Sequence, residues 1–142
     1  MTEVLFYTHV DDKLQTACAL TSKALARKMR VMLFTADAAA TDRLSKLLWT
    51  VPATGFLPHC RSEDKLAPVT PVILDHRAEP LVHDQVLINL RGETPPFFSR
   101  FQRLVEIVGN DDADREAARV RFRFYRDRGY EIRTHQLGGA AS

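Results

Sequence analysis

The sequence predicts an α/β fold, a three-layer sandwich in which helices cover a mostly parallel sheet. Two observations in its first fifty residues carry that reading. Short apolar runs, EVLFYTH (3–9) and RVMLFTA (30–36), are of strand type, and a segment with helical recurrence of apolar residues follows each. Strand, helix, strand, helix is how a parallel, helix-covered sheet begins.

The elements follow in order. After the first strand, DKLQTACALTSKALARKM places Leu14, Ala17, Cys18, Leu25 and Met29 at helical spacing and closes on a basic last turn. Asp37 is a suitable N-cap for AAATDRLSKLLW, and Pro52 should stop that helix. Residues 50–70 are irregular and contain prolines. PVILD (71–75) and QVLINL (85–90) are further short strands, joined by the polar HRAEPLVHD. In PPFFSRF the prolines suit the first turn of a helix. RLVEIVG alternates apolar and charged residues as a strand does, and the longest helix should run from Asp111 to about Arg128. Carboxylates in NDDAD suit the positive end of its dipole.

The totals bound the function. At 142 residues the chain reads as one domain, 1–142, with residues 138–142 a frayed tail. Net charge is only +2, so composition does not demand a nucleic-acid partner. Two cysteines make no disulfide framework, and the expectation is a reducing compartment. No stretch approaches the ~20 apolar residues of a membrane span, and the first residues carry no basic-then-apolar leader. A soluble, cytoplasmic protein with no membrane partner is expected.

Catalytic chemistry is hard to find. A phosphate cradle needs glycines so that backbone amides can approach the anion. The loops after the first two strands, THVDDK and TADAAA, contain none, and the first holds two carboxylates. The fold is therefore expected to be Rossmann-like without a nucleotide site. His59 and Cys60 are the only adjacent His/Cys pair, without a second pair at metal-ligand spacing, so no metal or other cofactor is expected. Asp11 and Asp12 fit a helix start better than acid/base work. No catalytic residue is assigned. A small α/β hydrolase or nucleotide-binding enzyme using Cys60, His59 or Asp11 is the enzyme-class alternative.

The last helix is more informative. At about 100° per residue, Arg115, Arg119, Phe122 and Arg126 form one stripe, and Ala113, Ala117, Val120 and Phe124 form another opposite it. The purely apolar stripe is the better candidate for the core side, which leaves Phe122 outside among arginines. That face is either solvated and basic, with Phe122 tucked under arginine stems, or a pocket for an acidic ligand carrying one apolar group. A direct single-stranded nucleic-acid binder is the third reading, with Phe122 stacking on a base. The interspersed carboxylates Asp111, Asp112, Asp114, Glu116 and Asp127 argue against it.

LLWTVPATGFLPHC (47–60) is uncharged and carries the only tryptophan. Leu44, Leu47, Leu48 and Val51 share a helical face, and Trp49 projects roughly 140° from Leu44. With Phe56 and Leu57 in the loop beyond, the stretch is either a satellite core or the centre of a protein interface.

Together these residues resemble the chi subunits of bacterial DNA polymerase III holoenzymes, accessory proteins of the clamp loader. The likeness rests on FY in the first strand, RVMLF in the second, the spacing of Trp49, Pro52, Phe56, Pro58 and His59, LINLR, and AARVRFRFYRDRGY near the end. It is weakest over 61–84. The resemblance implies a binding protein, not an enzyme, whose fold is like that of nucleotide-binding proteins. It implies a site for the acidic, Phe-ending C-terminal tail of the single-stranded-DNA-binding protein at Val108, Arg115, Arg119 and Phe122. Arg115 stands where the family often has lysine, and Phe122 where it often has tyrosine. It further implies a second surface, for a psi subunit or a helicase, at Trp49, Phe56, Leu57 and Pro58. DNA would then be reached only indirectly.

Overall fold

The computed structural model describes residues 2–50, 57–77 and 81–137. In chain order the elements are β1 (Glu3–Val10), α1 (Lys13–Ala26), β2 (Val31–Phe34), α2 (Ala38–Thr50), β3 (His59–Cys60), β4 (Val72–Asp75), β5 (Val86–Asn89), β6 (Arg103–Gly109), α3 (Asp112–Asp127) and β7 (Ile132–Gln136). Short 3-10 turns occupy Ala67–Val69 and Phe98–Arg100. The strands form one sheet in the order β3-β4-β2-β5-β6-β1-β7, and every pairing among them is parallel.

Strand alternation sorts the apolar residues into two cores. Leu5, Leu33, Leu74, Ile88 and Ile107 face α1 and α2, where they meet Ala17, Cys18, Leu44 and Leu48. Val4, Phe6, Met32, Leu87 and Leu104 face the other way, toward α3 and an aromatic cluster of Phe97, Phe98 and Phe101. Because both faces are covered, β2, β4 and β5 are buried along their whole length, the pattern that produces unbroken apolar runs in a sequence.

The helix ends obey local chemistry. Asp12 accepts the Gln15 amide, Asp37 accepts the Ala40 amide at 2.7 Å, and Asp111 accepts the Asp114 amide. At the far end of α3, Gly129 (φ +82°) lets Tyr130 N–H reach Tyr125 O while its own N–H reaches Arg126 O, a Schellman closure. The end of α1 repeats the geometry with Lys28 at φ 61°, bonding to Leu25 O, and Met29 bonding to Ala24 O.

Three expectations need revision. PPFFSRF forms only the short turn Phe98–Arg100, its aromatics buried under α3 rather than spread along a helix. Two strands, β3 and β7, were not foreseen, since two residues carry no period and β7 is exposed after its first residue. The core face of α3 is also not the purely apolar one. Val120 is 55% exposed and Ala113 is exposed, whereas Ala118, Arg121 and Tyr125 are buried with Phe122 half-buried beside them. Those four are spaced i, i+3, i+4, i+7, a proper core stripe disguised by an arginine.

Candidate functional site

In an open parallel sheet, ligands bind where successive crossovers leave in opposite directions, at the carboxyl ends of the strands. Here that place lies between β1 and β6, because α1 packs on one face and α3 on the other. The crevice is filled by the chain itself. Lys13 Nζ sits 3.2 Å from both carboxylate oxygens of Asp114, and Gly109 N–H donates to Asp114 Oδ2 at 2.7 Å. Asn110 Nδ2 donates to Asp11 at 2.8 Å. The amides at both helix starts are engaged by the carboxylates of Asp12 and Asp111, so the usual seat of a phosphate is taken by like charge.

Of the enzyme-class candidates, Asp11 accepts from Asn110, and Cys60 is a half-buried residue of the edge strand β3. Burial, and secondarily Asp12, push the Cys18 thiol up to about 11, which keeps it protonated and inert at neutral pH. His59 Nδ1 lies 2.6 Å from Leu57 O, and Nε2 lies 3.2 Å from Ser45 Oγ, so both ring nitrogens of this histidine are occupied. Ser62 Oγ donates to the buried Asp75, not to an imidazole, so these neighbours of His76 are not ordered as a nucleophile–base–acid relay. Among the described residues no three His, Cys, Asp or Glu side chains converge as a metal site, and no helix is long and apolar enough to cross a membrane.

A depression of about 540 Å³ opens between α3 and the strands β6, β1 and β7. Its floor is Phe6, Val108, Ala118 and Phe122, and Arg115 and Arg119 stand at its margin. The structure thus brings Val108, Arg115, Arg119 and Phe122 around one cavity. Arg126, on the same sequence stripe, does not line it and pairs with Asp127 at 3.1 Å. Phe122 leans on Phe6 with ring centroids 5.5 Å apart, so its ring is a wall of the cavity rather than a freely exposed aromatic. Arg119 makes an exposed pair with Glu116 at 3.0 Å, which costs little to break, and Arg115 has no ion pair among the described residues. Sequence reasoning missed Thr8, His9, Gly109, Thr134 and Gln136, which complete the lining. His9 adopts φ 58° where the β1 register shifts, a bulge that turns its side chain toward the rim. No periodic signal marks it.

What holds α3 in this orientation is polar. Glu106 on β6 is fully buried, with Arg121 Nε 3.0 Å from Oε1 and Tyr125 Oη donating to Oε2 at 2.6 Å. Asn89 Nδ2 donates at 3.0 Å from the other side, and Arg121 Nη1 also reaches Gly92 O at 2.8 Å. Burial raises the Glu106 carboxyl above its usual range, and Arg121 foremost, with Tyr125 and Asn89, pulls it back. Burial, then the Glu106 carboxylate, hold the Tyr125 phenol well above its own range. One turn toward the N-terminus of α3, the same face delivers Ala118 and, beside it, Arg115 and Arg119 to the cavity.

The opposite end of the sheet carries a different surface. Trp49, near the end of α2, is 64% exposed, and its ring meets that of His59 edge-on at 5.6 Å beside the edge strand β3. Pro58 is exposed next to it, but Leu57 is only 6% exposed and packs in the core with Leu44 and Leu48. Leu57 is therefore removed from any contact surface, because its side chain closes the sheet under α2. Phe56 and Val51 lie outside the described residues.

A parallel sandwich with its crevice filled and an apolar, arginine-edged cavity to one side defines a Rossmann-like α/β protein. The family described as DNA polymerase III chi subunit, HolC, matches residues 1–133. Among curated relatives, the DNA polymerase III subunit chi of Pseudomonas aeruginosa is 39% identical over 141 residues, covering 96% of this chain and 98% of that one. The subunits chi of Haemophilus influenzae and Escherichia coli are 26% and 27% identical over 125 and 121 residues, covering 87% and 84% of this chain and 87% and 82% of theirs. The chain belongs to the DNA polymerase III chi subunit family, accessory proteins of DNA replication.

Proposed function

We propose that this chain is a non-catalytic adaptor that ties the clamp loader to single-stranded-DNA-binding protein by holding that protein's acidic, Phe-ending tail in the α3 cavity. The observation that supports it is the joining of an apolar floor (Phe6, Val108, Ala118, Phe122) to two guanidiniums at its margin. A terminal phenyl ring fits the floor, and the terminal carboxylate and upstream aspartates fit Arg115 and Arg119. With Phe122 lacking a hydroxyl, affinity comes from packing and charge. Such a peptide should bind at roughly micromolar strength and weaken with salt. Several tails on one DNA-bound multimer would then multiply the hold, so the chain needs no DNA contact of its own. The Trp49 and Pro58 edge, with Phe56, is the surface we assign to a psi subunit or a helicase.

The test is calorimetric titration of the chain with a synthetic acidic peptide ending in Asp-Ile-Pro-Phe. Saturable binding is expected, weakened about tenfold or more by Arg119→Ala and by Phe122→Ala, each removing roughly 1.4 kcal/mol or more, and abolished by deleting the last residue of the peptide. Unchanged affinity in both variants would remove the assignment. Tight binding of single-stranded DNA by the chain alone would favour the nucleic-acid reading instead.

A further inference from the structure

We propose that the outer edge of β7 is a strand-addition site, on which the extended acidic segment leading into the α3 cavity pairs as an eighth strand. This rests on the reading of the cavity as the seat of an acidic chain end. Three observations carry it.

The first is register. Val4 pairs with Ile132 and Thr8 with Gln136, while Val4 N–H bonds to Glu131 O and Leu137 N–H bonds to Thr8 O. In a parallel ladder those bonds assign the odd residues of β7 to β1. The N–H and C=O groups of Ile132, Thr134 and Gln136 therefore point away from the sheet. Among the described residues nothing pairs with them, since β7 is the last strand in the order.

The second is continuity. Thr134 and Gln136, whose backbone groups face outward, also line the cavity with their side chains. A chain whose end lies in the cavity leaves it across the edge that offers these donors and acceptors.

The third is charge. Side chains of an added strand would alternate between two faces. One face holds Arg115 and Arg119. The other holds Arg133, 60% exposed and held only by exposed or partly exposed carboxylates 3.4 and 3.9 Å away. The strand itself contains no carboxylate; the exposed Glu131 that precedes it is paired with Arg133. Natural sheet edges are blunted by charged side chains, bulges or prolines, and of these β7 carries only the charge of Arg133, which favours an acidic partner strand. An acidic strand meets a guanidinium on either side, whereas a second copy of β7 would bring another arginine and no carboxylate.

The experiment uses the full chain and a nine-residue acidic peptide ending in Asp-Ile-Pro-Phe, N-methylated singly at each of the five upstream residues. Alternate methylations should weaken binding at least tenfold and the intervening ones less than twofold, because only every second amide faces β7. In parallel, the bound peptide should slow amide exchange at Thr134 and Gln136 at least tenfold and leave Arg133 and His135, already bonded to β1, unchanged. Equal effects at all five positions together with unaltered exchange at Thr134 and Gln136 would overturn strand addition. If Arg119→Ala still weakened the unmodified peptide in that case, the cavity reading would survive alone. Failure of the unmodified peptide to bind would remove both.

Discussion

Arg121 is 2% exposed and its partner Glu106 is fully buried, so each is tolerable only because of the other. The pair is expensive to desolvate, and its net worth against an apolar pair of equal volume is small. Breaking it is another matter. Arg121→Met should cost on the order of 3–5 kcal/mol in urea unfolding, and Arg121→Met with Glu106→Leu should recover most of that loss. The sign of the pH dependence follows from the carboxyl. Burial already raises Glu106, and the guanidinium opposes that shift, so the single variant should raise it further. A carboxyl whose folded value lies above its unfolded value stabilises the fold below the unfolded value and loses that contribution as pH rises through the folded one. The Arg121→Met variant should therefore regain stability as pH falls from neutrality toward about 5, more steeply than the parent. A cost under about 1 kcal/mol, with no such slope, would show that the pair does not anchor α3.

The three helices show how local chemistry sets their limits while packing sets their orientation. α1 and α3 end in the same closure, but one uses Lys28 and the other Gly129 at the left-handed position. A side chain there costs roughly 1 kcal/mol, and glycine does not. Lys28→Gly should raise the unfolding free energy by about 0.5–1 kcal/mol and Gly129→Ala should lower it by about as much. Equal and negligible effects would mean that the two ends relax differently from the geometry described. The helix starts were readable from the chain, in the aspartates that precede all three. The rotation of α3 was not. An arginine on the buried stripe made the apolar stripe of Ala113, Ala117, Val120 and Phe124 look like the core side. Only Glu106, fifteen residues away in sequence and directly opposite in space, makes burial of Arg121 affordable.

Across the molecule, the sheet order separates two surfaces. The α3 cavity lies by β6, β1 and β7, and Trp49 lies beside β3 at the other edge. Six strand spacings at about 4.8 Å put the two ends of the sheet roughly 29 Å apart. Occupants of the two should then ignore each other. The single tryptophan reports on this directly, since it is largely exposed. Its emission should be that of a solvated indole, open to iodide quenching, and saturation with the acidic peptide should leave both properties unchanged. Shielding of Trp49 by the peptide would show that the surfaces overlap or are coupled.

The layered parallel fold, the limits of most elements and the missing phosphate loop were all legible along the chain. Each follows from short-range rules: apolar runs for doubly covered strands, carboxylates for helix starts, glycines for close approach to an anion. The resemblance supplied the four cavity residues together. The buried Glu106–Arg121 pair, the withdrawal of Leu57 into the core, the bulge at His9 and the edge strand β7 required the folded molecule. Charge burial, loop closure and the pairing of an exposed strand depend on what lies opposite in space, and neighbours along the chain carry no record of it.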